Sequence, residues 1–501
     1  MDSYRNKNVS ASPSYDQREE RKTAANEPTL VVMSNRAPIR VVREGSRARL
    51  EPTVGGVGTT FLRLLGRNGG LWIAWSEGQA ALTPPAPAPH LGFGLSLVDL
   101  DEREVSQYYH GMCNRALWPL MHSMVSNCHF DAAHWQQYRA VNRKFAERAA
   151  TVVPGGSELW IQDFHLALTP RLVRARRTDL PIGAFWHVPF PPVELYRVFP
   201  WRSELLEGML GANLVGFHTP SYTANFLEAC ERVLGAQVDW SDGRVRYQSG
   251  TSRVLPFPLG IPADYFEQLA ASPRIRERAQ RIRRGLRSPV IVLGVDRLDY
   301  TKGILERLLG FERFLEINPA YHRLVTLVLI AVPSRTKLAD YVRLKGQVDE
   351  CVGRIVGRFS SEGWVPIRYL YTQLSTDELA AYYAGADIAL LTPLRDGMNL
   401  VAKEFIAAHP NDDAVLILSE FAGAAEELTE ALLVNPYDSE AIALRLRQAI
   451  EMSAETRAQR MSVLREKVRS NSLERWSSEF LGTLRKEFEL EAGCTAEAAA
   501  H

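Results

Sequence analysis

The sequence predicts an α/β protein whose chain folds into two halves, each a parallel sheet flanked by helices. Three observations predict this class. Short runs rich in β-branched residues alternate with helix-like stretches along the chain. The alternation breaks off before residue 260 and then resumes. The length of 501 residues suits two domains.

In the first half, strands are predicted in the runs "TLVVMSN", "ELWIQDFH", "PIGAFWHV" and "ANLVGFHT". The clearest helix is predicted over residues 221–235. The segment "QVDWSDGRVRYQSG" then interrupts the pattern, and a turn is predicted at residues 241–243. Residues 28–258 are therefore expected to form an N-terminal Rossmann-like domain.

In the second half, the strand "VIVLGVDR" is followed by "LVTLVLIAV", "IRYLYTQ", "DIALLT", "AVLILSE" and "ALLVNP". Ser375 and Glu378 form the pattern of a capping box, which predicts the start of a helix. Residues 259–470 are expected to form a C-terminal Rossmann-like domain. A final helix over residues 471–490 is expected to cross back to the N-terminal domain.

The ends and the composition of the chain exclude several classes of protein. Residues 1–27 are polar and lack the apolar run of a signal peptide, which predicts a disordered tail. The chain from Glu491 is expected to be equally loose. The longest apolar run, "LVTLVLIAV", is too short to cross a bilayer. A net charge of +1 gives no indication of nucleic-acid or membrane binding.

The cysteines indicate a reducing compartment, and a cytoplasmic location is predicted. The chain has five cysteines, which occur singly and without CxxC spacing. The "DLD" at residues 99–101 precedes a helical pattern, so a helix cap is favoured over a metal site. His165 and His187 lack the spacing of metal ligands. Neither a metal nor a cofactor is predicted.

Arginine is concentrated in "SPRIRERAQRIRRGLRS", residues 272–288. This stretch is consistent with an anion-binding or RNA-binding patch. It is also consistent with the solvated face of a helix near the junction of the two domains, and this second interpretation is favoured.

Charged turns follow two strands of the second half. Arg297 ends a strand and Lys302 precedes the next helix, a placement that suits a diphosphate. In "LRDGMNLVAKE", the N–H groups of residues 398–400 begin a helix that can bind an anion. Asp396 could hold sugar hydroxyls and Glu404 a ribose. The alternatives are surface ion pairs for the two cations and a lysine partner for Glu404.

The first half supplies further candidates at strand ends. Arg36 follows the first strand, and the glycine-rich loop at Gly55 and Gly56 would let the backbone approach a ligand. Asp163 and His187 end two strands at the same edge of the sheet. A packed core histidine is the alternative for His187.

Together these motifs resemble the trehalose-6-phosphate synthases, retaining GT-B glycosyltransferases of family 20. The resemblance runs from about Thr29 to Phe488. It rests on "SNR", "GG" before a helix, "LWIAWSEG", "YYHGMCNRALWP", "IQDFHL", "HVPFPPVELYRVFPWR", "VGFHT", "DRLDYTKG", "PSR" and "TPLRDGMNLVAKE". The resemblance implies two Rossmann-like domains that face each other across a deep cleft.

The resemblance also implies roles for individual residues. Catalytic roles fall to Asp163, His187, Arg297 and Lys302. Donor binding falls to Gly56, His187, Arg297, Lys302, Asp396, Gly397, Met398, Asn399, Leu400 and Glu404. Acceptor binding falls to Arg36, Trp75, Tyr109, Trp118, Asp163 and Arg335, although core packing is the alternative for the two tryptophans.

The implied reaction is transfer of glucose from a nucleotide-glucose, UDP-glucose by default, to glucose 6-phosphate without a metal ion. Three sequence departures near the sugar pockets leave other acceptors open, as in glucosylglycerol-phosphate synthases or pseudo-glycosyltransferases. A non-catalytic regulatory member is a further alternative. A homo-oligomer is expected, and a separate phosphatase is expected to act on the product.

Overall fold

The computed structural model describes residues 29–37, 39–44, 47–52, 56–77, 86–87, 92–336, 338–409 and 411–499. The predicted tail over residues 1–27 and Gly55 lie outside these ranges. Within them the chain forms a ten-stranded sheet, a six-stranded sheet and a two-stranded hairpin. We refer to the two large sheets as the N-terminal sheet and the C-terminal sheet.

The N-terminal sheet has a parallel centre with antiparallel strands at its edges, in the order β10-β11-β12-β9-β8-β7-β1-β4-β6-β5, while β2 and β3 form the hairpin. The strands are β1 (Leu30–Arg36), β2 (Ile39–Glu44), β3 (Arg47–Pro52), β4 (Leu71–Trp75), β5 (Ala86–Pro87), β6 (Gly94–Val98), β7 (Glu158–Gln162), β8 (Ile182–Phe185), β9 (Leu214–Phe217), β10 (Gln237–Asp239), β11 (Arg244–Tyr247) and β12 (Gly250–Pro256). The turn predicted at residues 241–243 joins β10 to β11, which confirms that prediction.

The C-terminal sheet is parallel throughout, in the order β15-β14-β13-β16-β17-β18. Its strands are β13 (Val290–Arg297), β14 (Val325–Val332), β15 (Ile367–Tyr371), β16 (Ile388–Leu391), β17 (Val415–Ser419) and β18 (Leu432–Val434). Its central strands are continuous apolar runs because helices cover both faces of such a sheet. Arg297 pairs in register with Val332, so the turns after β13 and β14 leave the sheet at the same edge.

Helices connect the strands and cover the sheets. They are α1 (Gly56–Asn68), α2 (Glu102–Glu104), α3 (Trp118–Met121), α4 (Ala132–Val152), α5 (Thr169–Arg174), α6 (Val193–Tyr196), α7 (Arg202–Met209), α8 (Pro220–Leu234), α9 (Ala263–Ala271), α10 (Pro273–Leu286), α11 (Ile304–Ile317), α12 (Ala339–Phe359), α13 (Thr376–Gly385), α14 (Leu400–Ala407), α15 (Ser439–Glu451), α16 (Ala454–Ser470) and α17 (Leu473–Ala499). A π-helix, Val105–Leu117, runs between α2 and α3. Among the described residues, no helix is both long enough and apolar enough to cross a membrane.

Several local predictions are confirmed. Asp101 caps α2 through a capping box with Glu104, as expected for a cap in place of a metal site. Ser375 and Glu378 form the predicted capping box of α13. The chain from Glu491, expected to be loose, instead continues as α17, since "EAGCTAEAA" is rich in strong helix formers.

The arginine-rich stretch forms α10, and three of its arginines are committed to ion pairs. These pairs hold α10 against α13 and the residues that follow it, which favours the structural interpretation of this stretch. The pairs are Arg274 with Asp377, Arg278 with Glu378, and Arg283 with Asp387.

The final helix packs on the N-terminal sheet. The ring of Phe480 stacks on Trp160 of β7 at a centroid distance of 4.5 Å. A Cβ atom at Gly183 or Gly216 would lie 2.6 or 2.8 Å from the Phe480 ring, so glycine is needed at both positions. The chain therefore crosses twice, once from the N-terminal sheet to the C-terminal sheet and once back. The two crossing segments lie side by side and are joined by a β-bridge between Ile261 and Ser472.

Candidate active site

The two sheets meet with the carboxyl ends of their parallel strands facing each other. Gly397, in the turn after β16, lies so close to the end of β8 that a Cβ atom there would be 2.1 Å from the carbonyl oxygen of His187. The indole N–H of Trp118 donates to Asp299 beyond β13, at 3.4 Å. The edges at which ligands bind in such sheets therefore form one shared site.

Lys302 and Asp396 are direct partners on the part of the site formed by the C-terminal sheet and its helices, which we call the C-terminal side; the part formed by the N-terminal sheet and its helices is the N-terminal side. Lys302 Nζ lies 2.7 Å from Asp396 Oδ2, and Asn399 donates to the same oxygen at 3.0 Å. Burial opposes ionisation of Asp396, but Lys302 outweighs it and lowers the pKa of the carboxyl. Lys302 is buried, so the alternative of a surface ion pair does not describe it.

The start of α14 lies beside this pair. Asn399 caps the helix with a backbone φ of 77°, and its side chain accepts from the N–H of Ala402 at 3.1 Å. The N–H groups of the first helical turn have no acceptor within the helix, and they carry the positive end of its dipole. Leu400 packs against a hydrophobic cluster that includes Phe61 of α1, the helix that Gly56 begins.

Glu404 is held by a tyrosine, and the alternative of a lysine partner is wrong. Tyr383 donates its hydroxyl to Glu404 Oε2 at 2.8 Å. Burial raises the pKa of Glu404 to about 7, and the hydrogen bond from Tyr383 opposes that rise. The neighbouring lysine, Lys403, is taken up by Glu427 at 2.7 Å.

Asp299 is a site residue that sequence reasoning missed, although it lies between Arg297 and Lys302 in the quoted "DRLDYTKG". It is fully buried, and it binds Arg335 at 2.7 Å and the hydroxyl of Tyr341 at 2.9 Å. Burial opposes its ionisation, but the cations Arg335 and Arg297 outweigh burial, so its pKa lies below the usual range. For Tyr341, the sequence carried no signal.

Two arginines of the C-terminal side face Trp118. The guanidinium carbons of Arg335 and Arg297 lie 4.1 and 5.3 Å from its ring centroid. Arg335 has a backbone φ of 46°, a conformation that costs free energy and that the surrounding contacts must maintain. Trp118 also belongs to the core beneath the N-terminal sheet, so core packing and a wall of the site are compatible roles.

The predicted acceptor residues of the N-terminal side gather around a second aromatic group. The guanidinium carbon of Arg36 lies 4.9 Å from the Tyr109 ring and 6.0 Å from the Trp75 ring, and Arg36 pairs with Glu77 at 2.8 Å. Tyr109 stacks on His165 at 6.0 Å.

His165 connects the two aromatic groups: its ring lies 6.0 Å from the ring of Tyr109 and 4.0 Å from that of Phe164, which in turn lies 6.1 Å from Trp118. Burial, followed by the positive charges of Arg335 and Arg36, lowers the pKa of His165 to about 3. A continuous run of packed rings therefore links the ring beneath Arg36 to the ring beneath Arg335, and the predicted acceptor residues lie in one region.

Asp163 and His187 follow the neighbouring strands β7 and β8, as predicted. Asp163 Oδ1 accepts from the backbone N–H of His187 at 3.2 Å, and Asp163 has a backbone φ of 70°. Burial raises the pKa of Asp163 to about 6, against the lowering effect of two backbone N–H groups and of Arg297 and Arg335.

The His187 ring is held from below the site. Its Nε2 lies 2.9 Å from Gln162 Oε1, and burial lowers the pKa of the imidazole well below its usual value. His187 is therefore a neutral group whose main chain and ring are both fixed by neighbours.

Among the described residues, no group of three or more His, Cys, Asp or Glu side chains is placed to hold a metal ion. The groups that converge on the site are cations, carboxylates, aromatic rings, hydroxyls and a helix N-terminus. These suit phosphate and sugar hydroxyl groups.

Comparisons with known proteins agree with this chemistry. Residues 28–486 match the model of glycosyltransferase family 20. The bifunctional trehalose-6-phosphate synthase/phosphatase of Thermoproteus tenax is 40% identical over 467 residues, which cover 91% of this chain and 63% of that protein. The chain thus spans less than two thirds of that relative. The trehalose-6-phosphate synthase of Mycolicibacterium smegmatis is 39% identical over 464 residues, which cover 91% of this chain and 92% of that protein.

Solved structures of similar proteins share the fold. A UDP-forming α,α-trehalose-phosphate synthase from Burkholderia xenovorans, in complex with glucose-6-phosphate, superposes with a TM-score of 0.84 at 31% identity, covering 91% of this chain and 100% of that one. A structure from E. coli, bound with UDP-2-fluoro glucose, gives a TM-score of 0.83 at 31% identity and covers 91% and 98% of the two chains. The predicted fold class, the resemblance and the expectation of a glycosyltransferase are confirmed. The chain belongs to glycosyltransferase family 20.

Proposed function

We propose that the protein is a retaining α,α-trehalose-phosphate synthase. It moves glucose from UDP-glucose to glucose 6-phosphate and releases α,α-trehalose 6-phosphate and UDP. The observation that carries this proposal is that arginines of both sides lie on aromatic rings of one site, Arg36 on Tyr109 and Arg335 on Trp118, while Asp299, which binds Arg335, lies three residues before Lys302 of the Lys302–Asp396 pair. This arrangement supports a place for a phosphate monoester next to a place for a sugar diphosphate.

The donor lies on the C-terminal side in this proposal. Arg297, Lys302 and the backbone N–H groups at the start of α14 bind the diphosphate, since fixed cations and a helix N-terminus suit its charge. Asp396 and His187 hold the glucose hydroxyls and Glu404 the ribose. The list of donor residues is completed by Gly56, Gly397, Met398, Asn399 and Leu400. Support for the donor comes from the E. coli relative, which binds UDP-2-fluoro glucose.

The acceptor lies between the two sheets. Arg36, Tyr109 and Arg335 bind its phosphate, because guanidinium groups and a hydroxyl from separate loops suit a phosphate monoester. Trp75 and Trp118 wall its sugar, and Asp163 holds a hydroxyl near the reacting carbon. The Burkholderia xenovorans relative, solved with glucose-6-phosphate, supports this acceptor.

The chemistry follows from where the charges lie. Arg297 and Lys302 neutralise the negative charge that develops on the leaving diphosphate, which is the main catalytic contribution. The acceptor hydroxyl attacks from the face that the diphosphate leaves, and a phosphate oxygen takes its proton. The contacts between the two sheets hold both substrates together and exclude water.

A product assay tests the proposal. The full chain is supplied with UDP-, GDP- or ADP-glucose, together with glucose 6-phosphate or glycerol 3-phosphate, and products are read by mass spectrometry. We expect trehalose 6-phosphate from UDP-glucose and glucose 6-phosphate. A product with glycerol 3-phosphate alone would contradict the acceptor, and turnover with GDP- or ADP-glucose alone would contradict the nucleotide.

A homo-oligomer, a cytoplasmic location and a separate phosphatase for the product complete the proposal. The first two are read by light scattering and by fractionation of cells. The third predicts that the purified chain accumulates trehalose 6-phosphate and releases no inorganic phosphate.

A further inference from the structure

Tyr222 forms a hydrogen bond from the N-terminal side of the molecule to the turn that carries Asp396. Its hydroxyl donates to the main-chain carbonyl of Asp396 at 2.9 Å. Tyr222 lies in the first turn of α8, where its backbone N–H is held by the hydroxyl of the N-cap residue Thr219 at 3.2 Å. The side chain is buried, so this hydroxyl is a fixed donor at the contact between the two sides.

The main chain of Asp396 is also held by hydrogen bonds from residues of the C-terminal side. Its carbonyl oxygen accepts a second hydrogen bond, from the N–H of Gly423 at 3.1 Å, and its N–H donates to the carbonyl of Phe421 at 3.2 Å. Its carboxylate binds Lys302 and Asn399. A shift of the Asp396 main chain therefore moves the carboxylate that faces the site.

The backbone approach at this point depends on two glycines. A Cβ atom at Gly397 would lie 2.1 Å from the carbonyl oxygen of His187. A Cβ atom at Gly423 would lie 2.0 Å from the carbonyl oxygen of Gly397 and 3.2 Å from the Thr219 side chain. The main chains of the two sides thus touch directly, and Tyr222 adds a directional bond to that contact.

We propose that Tyr222 is a positioning residue for the donor sugar. Its hydrogen bond holds the main chain of Asp396, so that the contact between the two sides also sets the position of the carboxylate that binds the glucose hydroxyls. This inference rests on the proposed function, because it takes Asp396 as the residue that binds the glucose hydroxyls. Tyr222 does not bind the substrate itself. Burial raises the pKa of its phenol, which keeps the hydroxyl protonated as a donor.

The test compares Tyr222→Phe with a matched control, Tyr196→Phe. Tyr196 is also buried on the N-terminal side and donates its hydroxyl to a main-chain carbonyl, that of Arg202, at 2.7 Å. Dissociation constants of UDP and of UDP-glucose are measured by calorimetry on the full chain. The ratio of the two dissociation constants measures the contribution of the glucose moiety to binding.

We expect Tyr222→Phe to weaken UDP-glucose binding about three- to tenfold, as for one lost hydrogen bond, and to leave UDP binding unchanged. Tyr196→Phe should change neither constant. An equal loss for UDP and UDP-glucose would reduce Tyr222 to a structural role and overturn the inference, as would no loss at all. If the expected pattern holds but glucose 6-phosphate receives no glucose, the proposed acceptor fails and the role of Tyr222 stands.

Discussion

The guanidinium of Arg335 stacks on Trp118, 4.1 Å from its ring centroid, so a residue beyond β14 of the C-terminal sheet covers a residue beneath the N-terminal sheet. Asp299 joins both, because it binds Arg335 at 2.7 Å and accepts from the Trp118 indole at 3.4 Å. The three side chains form a buried triangle across the site. The position of the Arg335 guanidinium is thereby set by its protein neighbours.

This triangle predicts the effect of Arg335→Lys. Lysine keeps the positive charge but lacks the planar fork that can both stack on Trp118 and bind two acceptors. We expect KM for glucose 6-phosphate to rise about 10- to 100-fold, as for the loss of a charge-assisted bond, and KM for UDP-glucose to stay nearly constant. Steady-state kinetics with each substrate varied in turn measure this.

The control is Arg354→Lys. Arg354 lies on the surface of α12 and pairs with Glu312 of α11, and the change there should leave both KM values unchanged. If Arg335→Lys raised the donor KM as strongly as the acceptor KM, Arg335 would belong to the donor site.

The raised pKa of Glu404 predicts a pH dependence of donor binding. With a pKa of about 7, the carboxyl is protonated below that pH and loses the charge with which it would accept the ribose hydroxyls. We expect the KM for UDP-glucose to rise as the pH falls from 8 to 6 and to level at about a tenfold loss, as for one charge-assisted hydrogen bond. The measurement is a pH profile of the donor KM.

Glu404→Gln serves as the comparison, because an amide does not titrate. Its donor KM should be high and should not vary over the same pH range. A profile in the native protein as flat as that of Glu404→Gln would show that Glu404 takes no part in donor binding.

The Lys302–Asp396 contact predicts coupled losses of activity. Lys302→Met removes the cation that would neutralise the leaving diphosphate, and kcat should fall about 100- to 1,000-fold. Asp396→Asn removes the charge of its partner and should lower kcat as well. Because Lys302 Nζ and Asp396 Oδ2 are 2.7 Å apart, the increase in activation free energy of the double variant should be smaller than the sum of the increases in the two single variants. Strict additivity in this cycle would mean that the two groups act independently.

The ion pair of Lys403 and Glu427 lies where the chain crosses from one sheet to the other, and breaking it is expected to destabilise the protein. Lys403 is fully buried, and it also donates to the carbonyl of Leu259 at 2.8 Å. Lys403→Met removes the cation that pairs with Glu427, whose carboxylate then keeps only the hydrogen bond from Asn471, and the free energy of unfolding should fall by about 3 kcal/mol in urea titrations. Lys345→Met breaks a partly exposed ion pair with Asp349 on the surface of α12 and should cost less than about 1 kcal/mol. Equal losses in the two variants would contradict this prediction.

Sequence reasoning located the residues that follow strands. Asp163 and His187 end adjacent parallel strands, and the carboxyl ends of such strands share one edge, so their proximity follows from the strand pattern. The same reasoning placed Arg297 and Lys302 beside the start of α14. Sequence patterns did not reveal Tyr383, which is a buried helix residue whose partner Glu404 lies on another helix.

Local sequence patterns predicted the two α/β halves, the strands β1, β7, β8 and β9 and the six strands of the second half, the caps of α2 and α13 and the charged turns after β13 and β16, but not the order of the strands in either sheet. Periodicity, caps and turns depend on residues that are close along the chain. Which charges and hydroxyls are partners follows, by contrast, from contacts between residues that are far apart along the chain. Asp396 binds Lys302 across 94 positions because β13 and β16 are neighbours in one sheet, and it accepts from Tyr222 across 174 positions because the two sheets are set against each other.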